Sequence, residues 1–267
     1  MIRPLTESDR AATVAFLKQA PQFNLYMLGN LEKLGFSHEF CEFWGDWGEV
    51  NGATTLRGVL NRYMSGWTVY GEETADWGAL GQIVDEHPIT GERLQDNPGG
   101  IDSFLPYLQR YQSGKVEVEE VMLLEIDAFV PVPSREGVTV RQGQLADLPK
   151  LIPFYADAEY MTRSAAAIER PLRDTRLWLA EANGAVLSTA LTNAETESLA
   201  MIGGVYTPPS ARGRGLSQAV CSALCADLIA NGKQPVLYWN TPAAGAIYRK
   251  LGFHACGSWK SVWLEKS

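Results

Sequence analysis

The sequence predicts an α+β protein built of two similar units. The chain has 267 residues, which at roughly 100–200 residues per domain leaves room for one large domain or two small ones. About 46% of the residues are hydrophobic and 20% are charged, so the chain can bury a core and is not a disordered or low-complexity protein. Helical and β-like patterns alternate along the second half, and the first half repeats their rough order.

A proline-bearing stretch at 127–138 divides the sequence nearly in half. Pro131 and Pro133 stiffen it and Gly137 ends it, which is typical of a connector. We therefore predict an N-terminal domain at residues 1–130, a linker at 131–137 and a C-terminal domain at 138–267.

In the second half, apolar spacing and turn residues define the elements. Asn183-Gly184 is the strongest hairpin signal, and Pro208-Pro209 ends a strand because proline cannot donate a ladder hydrogen bond. Strands are expected at 138–141, 176–181, 185–191, 199–206, 235–239 and from 253 onward, and helices at 144–156, 164–170, 216–230 and 242–251. In the first half we expect helices at 6–34, 75–85 and 101–111, and β-rich segments at 40–47, 56–63, 67–70 and 116–130.

The composition disfavours several classes of protein. A net charge of −8 disfavours nucleic-acid binding, which needs a basic face, and is weakly compatible with a cationic substrate such as an amine. The longest apolar runs are interrupted by charge or glycine before the ~18–20 residues of a membrane span. The first ten residues contain no apolar signal region. We expect no membrane partner, no nucleic-acid partner and a cytoplasmic location.

The cysteines and histidines do not suggest a metal site. The chain has four cysteines without a Cys-x-x-Cys pair, and its three histidines do not cluster with them. Cys221 and Cys225 lie four residues apart on a predicted helix, and we interpret them as buried small hydrophobes rather than a disulfide or a metal site. This cysteine usage is typical of a reducing compartment.

The most informative segment follows the strand at 199–206. Two glycines, Gly213 and Gly215, precede a helix that starts at once, so backbone N–H groups and the positive end of the helix dipole point to one place. Arg212 and Arg214 add positive charge to an acidic chain. This pattern suits a pyrophosphate, although a glycine-rich connector with solvated arginines is the alternative. A Walker loop is absent, and Gln218 stands where a dinucleotide fingerprint needs its third glycine.

A second segment, residues 238–253, runs from strand to helix to turn with the pattern Ala-x-x-x-Tyr-x-x-x-Gly-Phe. Together with the Arg-x-x-Gly-x-small loop upstream, it makes residues 138–265 resemble the GNAT superfamily of acyl-CoA N-acyltransferases. The tandem layout and the stretch 246–250 look most like the glycine N-acyltransferase-like branch, whose members also carry a degenerate N-terminal half. The resemblance implies that each half is a mixed, mostly antiparallel sheet flanked by helices.

The resemblance also implies roles for particular residues. Acetyl-CoA, or another acyl-CoA, would be the co-substrate, and no metal would be needed. The strand backbone would pair with the pantetheine arm, and one of its amides would polarise the thioester carbonyl. Tyr248 would be the general acid that protonates the departing thiolate, although a core aromatic is the alternative. The implied cofactor-binding residues are Val205, Tyr206, Thr207, Arg212, Gly213, Arg214, Gly215, Leu216, Ser217, Gln218, Asn240 and Thr241.

The chain departs from the family pattern at two of these positions. Many family members have an asparagine seven residues before the tyrosine, where this chain has Thr241, so either Thr241 or Asn240 would contact the cofactor. Ser217 replaces the usual Gly or Ala, but it is small enough to leave the phosphate site open.

A general base must also accept a proton from the attacking ammonium group. Glu181, Glu195 and Glu197 are the candidates by strand position, and solvated surface charge is the alternative for each. We find no credible covalent nucleophile, since Cys221 and Cys225 lie inside a helix and direct transfer needs none.

The first half lacks a corresponding loop. Its strand at 67–70 runs directly into Glu72 and Glu73, which would repel a pyrophosphate. We predict that this half does not bind CoA and that it shapes the acceptor pocket or stabilises its partner.

The leading hypothesis is an N-acyltransferase, most simply an acetyltransferase, that moves an acetyl group from acetyl-CoA to a primary amine of a small molecule or peptide by direct attack. The alternatives are a non-catalytic acyl-CoA-binding or sensor protein and an interaction module that binds no CoA. The acceptor stays open, as does the choice between monomer and homodimer.

Overall fold

The computed structural model describes residues 1–50, 52–156, 158 and 161–267. The chain forms two compact units, one of Met1–Glu120 with Gly257–Ser267 and the other of Val121–Cys256. This division differs from the sequence-based one, because residues 121–137 lie with the second unit and 257–267 with the first.

The first unit is a mixed sheet with helices. Its elements are β1 (Ile2–Pro4), α1 (Arg10–Leu17), α2 (Leu25–Leu34), β2 (Cys41–Val50), β3 (Ala53–Tyr63), β4 (Gly66–Gly71), α3 (Trp77–Glu86), β5 (Arg93–Asp96), α4 (Pro98–Phe104), most of β6 (Tyr111–Leu123) and, at the end of the chain, most of β12 (His254–Lys266). Strands β1 to β4 pair antiparallel in sequence order, β4 and β5 pair parallel, and β5 pairs antiparallel with β12.

The second unit repeats this plan. It contains β7 (Thr139–Gln142), α5 (Leu148–Ala156), α6 (Ala165–Asp174), β8 (Leu177–Ala182), β9 (Ala185–Glu195), β10 (Leu199–Tyr206), α7 (Leu216–Ala230), β11 (Gln234–Trp239) and α8 (Pro242–Lys250). Strands β7 to β10 pair antiparallel in sequence order, and β10 pairs parallel with β11. The predicted fold class, two units that each hold a mixed, mostly antiparallel sheet flanked by helices, is therefore confirmed.

The first half differs in detail from the sequence-based elements. Residues 6–34, expected to be largely helical, form two helices, α1 and α2, because Pro21 lies between them and has no N–H to continue a helical ladder. The helix expected at 101–111 starts and ends earlier, as α4, and residue 111 begins β6. The strand β5 was missed because its four residues include one apolar side chain, Leu94.

The helices of the second unit cover opposite faces of its sheet. Alternate side chains of a strand point to opposite faces, and neighbours on β9 follow this rule: Ala190 belongs to a cluster with α7, and Leu191 to a cluster with α5 and α6. The α7 cluster also contains Ile202 and Tyr248. The α5 and α6 cluster contains Leu151, Tyr155, Ile168 and Tyr206.

Both units begin with the same ion pair, which the sequence analysis did not identify. In the first unit, Arg3 donates two hydrogen bonds of 2.7 Å to Asp9, and in the second, Arg141 donates two of 2.8 Å to Asp147. In each case the backbone N–H three residues before the aspartate also donates to its carboxylate, at 2.9 and 2.8 Å. The shared spacing and geometry support an internal duplication.

The Asp147 pair makes the stability of the second unit depend on pH. Hydrogen bonds from Arg141, with a further one from the backbone, lower the pKa of the buried Asp147 to about 2. A carboxyl group whose folded pKa is lowered contributes stability above its unfolded pKa of about 3.9, and this contribution is lost as the pH falls through the folded value. Replacing Asp147 with Asn should lower the free energy of unfolding by about 2 kcal/mol at pH 7 and by progressively less between about pH 4 and pH 2.

Urea denaturation at several pH values measures this difference. Asp174→Asn is the control, because Asp174 is an exposed residue at the end of α6 and its replacement should produce no such pH dependence. An equal loss for Asp147→Asn at pH 7 and pH 2 would contradict the assignment.

Candidate functional site

The site is a gap between two parallel strands of the second unit. β10 and β11 pair from Leu199 and Gln234 to Ile202 and Leu237, and the pairing ends there. Both strands continue beyond this point, β10 to Tyr206 and β11 to Trp239. The backbone edge of β10 that faces β11 is therefore released from the sheet over Gly203–Tyr206.

A β-bulge lies beside this gap. Gly203 pairs with Leu191 and Tyr206 with Thr189, so β10 uses one residue more than β9 over this stretch. Gly204 adopts a left-handed φ of 54°, and a Cβ at this position would lie 2.8 Å from the Leu191 side chain. A bulge bends its strand and re-aims the local backbone, so it changes the direction of β10 where the strand leaves β11.

The bulge is held by a buried hydroxyl. Tyr155 on α5 donates to the carbonyl oxygen of Gly204 at 2.8 Å and shares a 2.7 Å hydrogen bond with the Thr189 hydroxyl. Burial raises the pKa of Tyr155 to about 12, so the phenol remains a donor at neutral pH. We did not single out Tyr155 from the sequence, where it is one apolar position among others in a helix.

The loop after β10 has the form of an anion site. Gly213 and Gly215 adopt left-handed φ angles of 76° and 73°, and α7 begins directly afterwards at Leu216. The first N–H groups of a helix have no partner within it, and the N-cap residue here is Gly215, which has no side chain to satisfy them. A Cβ at Gly213 would meet no atom within 4 Å. The loop is therefore open, and its amides, with those of Ser217 and Gln218 in the first turn of α7, suit a pyrophosphate.

The predicted arginines of the loop take different positions. Arg212 Nε donates to the carbonyl oxygen of Thr207 at 3.0 Å, which ties the loop to the end of β10. Arg214 is exposed. Thr207 also shares a 2.8 Å hydrogen bond between its hydroxyl and that of Ser188.

A third arginine at the loop was missed by the sequence analysis. Arg135 Nη2 lies 3.1 Å from the place of a Cβ on Gly215. Arg135 belongs to the stretch predicted as a linker, but this stretch packs on α7, where the Val132 N–H donates to the Ser222 hydroxyl at 2.8 Å. The sequence carries no signal for this position, because Ser222 reads only as a helix residue.

The last predicted cofactor contacts lie at the same edge of the sheet. β10 and β11 are parallel, so Asn240 and Thr241, which follow β11, come to the edge that Val205, Tyr206 and Thr207 approach along β10. Asn240 is exposed, and Thr241 is the N-cap residue of α8.

Tyr248, the predicted general acid, is buried on α8. It is 7% exposed and belongs to the cluster with Ile202, with Val205 packed against that cluster. Its ring makes an edge contact with Phe253 at 6.0 Å between centroids. Burial, and secondarily the nearby Cys221 and Cys225, raise its pKa well above the ordinary value for tyrosine. The phenol thus stays protonated at neutral pH, which a general acid requires.

None of the three carboxylates proposed as general base lies at the gap. Glu195 is buried in an ion pair with Arg176 at 2.5 Å, and it pairs with Ala200 at the opposite end of β10. Glu181 accepts hydrogen bonds from Arg141, which lower its pKa, and β9 separates its strand from β10.

Glu197, the third candidate, is exposed in the turn before β10. Strand position suggested these residues, but the register of β9 and β10 puts Glu195 and Glu197 at the end of the strands away from the gap.

In the first unit, the N-terminus of the corresponding helix, α3, is capped by a side chain. The N-cap residue of α3 is Asp76, whose carboxylate accepts a 3.0 Å hydrogen bond from the Ala79 N–H. A negative charge thus already occupies the place that Gly215 leaves open in the second unit. This feature supports the prediction that the first half does not bind CoA.

Neither a metal-binding cluster nor a membrane-spanning helix is found among the residues that the structure describes. Residues 1–50, 52–156, 158 and 161–267 contain no group of three His, Cys, Asp or Glu side chains that could hold a metal ion. Within the same ranges, none of the helices has the length and apolar character needed to cross a membrane.

Comparisons with known proteins agree with the architecture. A family model described as FR47-like protein matches residues 183–264. No curated protein matches the chain in sequence. Among solved structures, a Drosophila protein aligns over 99% of this chain and 98% of its own, with 10% identity and a TM-score of 0.74.

Two further solved structures share this architecture. A GCN5-related N-acetyltransferase from Sphaerobacter thermophilus aligns over 100% of this chain and 95% of its own, with 18% identity and a TM-score of 0.67. A tandem GNAT protein from the clavulanic acid biosynthesis pathway aligns over 100% and 98%, with 14% identity and a TM-score of 0.62. The chain has a tandem GNAT-like fold. At these identities the comparison shows a shared fold only. The description of the loop at Gly213–Gly215, of the gap between β10 and β11 and of the helix that carries Tyr248 rests on the residues of this chain.

The bulge should tolerate only glycine at Gly204. Gly204→Ala combines left-handed strain with a clash against Leu191, and we expect it to lower the free energy of unfolding by about 2 kcal/mol or more. Gly213→Ala is the matched control, since it has a similar φ but open surroundings and should cost about 1 kcal/mol. Urea denaturation of both variants measures the difference, and equal losses would argue against a tightly packed bulge.

Proposed function

We propose that this chain is an acetyl-CoA-dependent N-acetyltransferase that acts on a primary amine. The observation that carries the proposal is the open anion loop at Gly213–Gly215, joined by β10 to the gap where β10 leaves β11. A phosphate site and an unpaired strand edge in series match a long ligand with a pyrophosphate at one end and an extended amide-bearing arm.

The co-substrate would lie along these features in order. Its pyrophosphate would accept hydrogen bonds from the amides between Gly213 and Gln218, with Arg135 and Arg214 adding positive charge. Its pantetheine arm would pair with the free edge of β10 at Val205–Thr207. The thioester carbonyl would then lie near the bulge, where a backbone N–H would stabilise the oxyanion that forms during attack.

The transfer itself needs no covalent enzyme intermediate. The amine nitrogen attacks the thioester carbonyl carbon, the new C–N bond forms, and the C–S bond breaks. Tyr248 gives its proton to the departing thiolate, the nitrogen loses a proton to water, and the Tyr248 phenolate regains a proton from the solvent, which restores the phenol. Because the pKa of Tyr248 is raised, the phenol is protonated at neutral pH before each transfer.

A non-catalytic acyl-CoA-binding or sensor protein is the second candidate. It is favoured by one observation, which is that Glu181, Glu195 and Glu197 all lie away from the gap. Two measurements distinguish the enzyme from the binding protein: thermal stabilisation by acetyl-CoA and release of thiol in the presence of an amine. A binding protein would be stabilised by acetyl-CoA against heat and would release no thiol with any amine.

The third candidate, a module that binds no CoA, is separated from both by the melting temperature alone. A ligand at 100 times its Kd should stabilise the folded state by about 2.7 kcal/mol. A melting temperature that does not change with acetyl-CoA would therefore favour this third candidate.

Three finer assignments belong to the same proposal. Within the superfamily, we place the chain nearest the tandem, glycine N-acyltransferase-like branch. We assign the catalytic machinery to the second unit, Val121–Cys256, which holds most of the predicted catalytic domain at 138–267. We also propose a cytoplasmic location, because Cys41, Cys221, Cys225 and Cys256 are all free thiols.

Tyr248 should matter for chemistry more than for binding. Tyr248→Phe removes the proton donor and should lower kcat by about 100-fold or more, while the thermal shift with acetyl-CoA is preserved. Because the pKa of Tyr248 is raised, wild-type kcat should show no loss between pH 7 and 9 from ionisation of this phenol. Thiol release at saturating acetyl-CoA measures both effects.

The control is Tyr111→Phe, which removes the hydroxyl of a buried tyrosine that accepts from the Gly91 N–H in the first unit. This variant should retain kcat. Undiminished turnover in Tyr248→Phe would remove the residue from the mechanism.

Arg135 should contribute to binding of the co-substrate. Arg135→Gln removes one positive charge beside Gly215, and we expect the Kd for CoA to rise about three- to tenfold at low salt and by less at high salt. Arg173→Gln is the control, because Arg173 is an exposed arginine paired with Glu169 on α6. Isothermal titration calorimetry measures both, and an unchanged Kd in Arg135→Gln would exclude a phosphate contact.

A further inference from the structure

We propose that the side-chain amide of Asn193 is a catalytic donor to the oxyanion, in addition to the backbone N–H of the β10 bulge. The inference rests on the proposed N-acetyltransferase function and deepens it. Asn193 lies near the end of β9, a position that the sequence analysis did not single out.

A second bulge, on β9, aims the Asn193 side chain at the gap. The register between β9 and β10 shifts after Met201, and Asn193 is the extra residue of β9 at this step. Such a bulge re-aims a side chain. The amide lies over Gly203, where an added Cβ would come within 2.6 Å of the Asn193 Cγ. Because β10 stops pairing with β11 after Ile202, Gly203 is the first residue of β10 at the gap, and the amide stands above it.

The orientation of the amide follows from its partner. Arg163 Nη2 donates to Asn193 Oδ1 at 3.2 Å. A guanidinium can only donate hydrogen bonds, so the amide atom that faces it must be the oxygen. The amide nitrogen therefore faces Gly203, and it is the side-chain atom nearest to the place of a Cβ there. Arg170 Nη2 fixes the bulge from outside, since it donates to the Asn193 backbone carbonyl at 2.9 Å.

The amide nitrogen is available to a ligand. None of the residues that the structure describes accepts a hydrogen bond from Asn193 Nδ2. Asn193 is half-buried, and its Nδ2 is not one of the enclosed side-chain atoms that lack a partner in the described part of the chain. A side-chain amide nitrogen carries two N–H donors. These donors can serve a ligand that lies in the gap beside Gly203.

The electron flow of the transfer gives this donor a role. As the amine nitrogen adds to the thioester carbon, the π electron pair of the C=O bond moves to the oxygen, and it returns when the C–S bond breaks. A hydrogen bond to the oxyanion is stronger than one to the neutral carbonyl, so a fixed donor lowers the barrier. Asn193 would donate this bond without losing its proton. Arg163 would be a positioning residue, which also polarises the amide through Oδ1.

Three variants separate donation from a structural role. Asn193→Ala removes the amide, and Asn193→Asp keeps its size and can still accept from Arg163 but has no N–H at neutral pH. Gly203→Ala should displace the amide, because the new Cβ would overlap it, and the backbone at Gly203 is not left-handed. We expect each variant to lower kcat by about 100-fold or more with little change in the KM for acetyl-CoA. A merely structural Asn193 would tolerate aspartate, which pairs with Arg163.

Asn30→Ala is the matched control. Asn30 is a half-buried asparagine of the first unit whose Nδ2 donates to the Asn61 side-chain oxygen at 3.1 Å. Its replacement removes an amide of the same kind and should leave kcat unchanged. Thiol release with an amine that supports turnover measures kcat in all variants. The thermal shift with acetyl-CoA should be preserved in each, which shows that the fold and the CoA site are intact.

A measurement without turnover distinguishes this inference from the proposed function. Infrared difference spectroscopy of bound acetyl-CoA, isotope-labelled at the thioester carbonyl, detects a hydrogen bond as a carbonyl stretch at lower wavenumber. Wild type should show a lower stretch than Asn193→Ala and Asn193→Asp. An equal stretch, or undiminished kcat in Asn193→Asp, would overturn the inference.

The two proposals can fail separately. If acetyl-CoA binds but no amine is acetylated, the enzyme function fails by itself, and the carbonyl stretch alone decides whether Asn193 contacts the thioester. A stretch that rises in Asn193→Asp supports that contact, and an unchanged one excludes it. If acetyl-CoA does not bind at all, both proposals are overturned.

Discussion

β10 and β11 stop pairing after Ile202 and Leu237 although both strands continue, and the candidate site depends on this. A strand edge inside a sheet normally has no free hydrogen-bonding groups for a ligand. Here the bulge at Gly203–Gly204, fixed by the Tyr155 hydroxyl on one side, turns β10 away from its neighbour. The same departure exposes the edge for an extended ligand and brings the loop at Gly213–Gly215 to the end of it.

The two units show how small a change separates an open helix N-terminus from one that is capped by a side chain. Each unit begins with an arginine that donates two hydrogen bonds to the aspartate six residues later. In each unit a helix follows the fourth strand. In the second unit the helix is capped by Gly215, so its amides are open, whereas in the first unit the Asp76 carboxylate already accepts from them. The two copies of the same architecture therefore differ at one N-cap position. Gly215 offers the helix no side chain there, whereas Asp76 offers a negatively charged one.

Sequence reasoning succeeded where the signal was local. β10 and α7 have the bounds that were predicted, because proline, glycine and helical spacing define them within a few residues. It failed where the deciding partner is distant in sequence. Strand position made Glu181, Glu195 and Glu197 the candidate bases, with solvated surface charge as the alternative. In the structure, Glu181 is paired with Arg141 and Glu195 with Arg176. Arg135 stands in no recognisable sequence pattern, and only the structure brings it beside Gly215, a residue 80 positions further along the chain.

The sequence by itself determined the fold class, the Gly213–Gly215 loop and the helix that carries Tyr248, because these depend on backbone freedom at glycine and on spacing along one element. Only the tertiary structure decided which charges face the gap. That choice depends on strand register, on the bulge at Gly204 and on the packing of the connector against Ser222. Such features arise from contacts between segments far apart in the chain, and no local pattern of residue types encodes them.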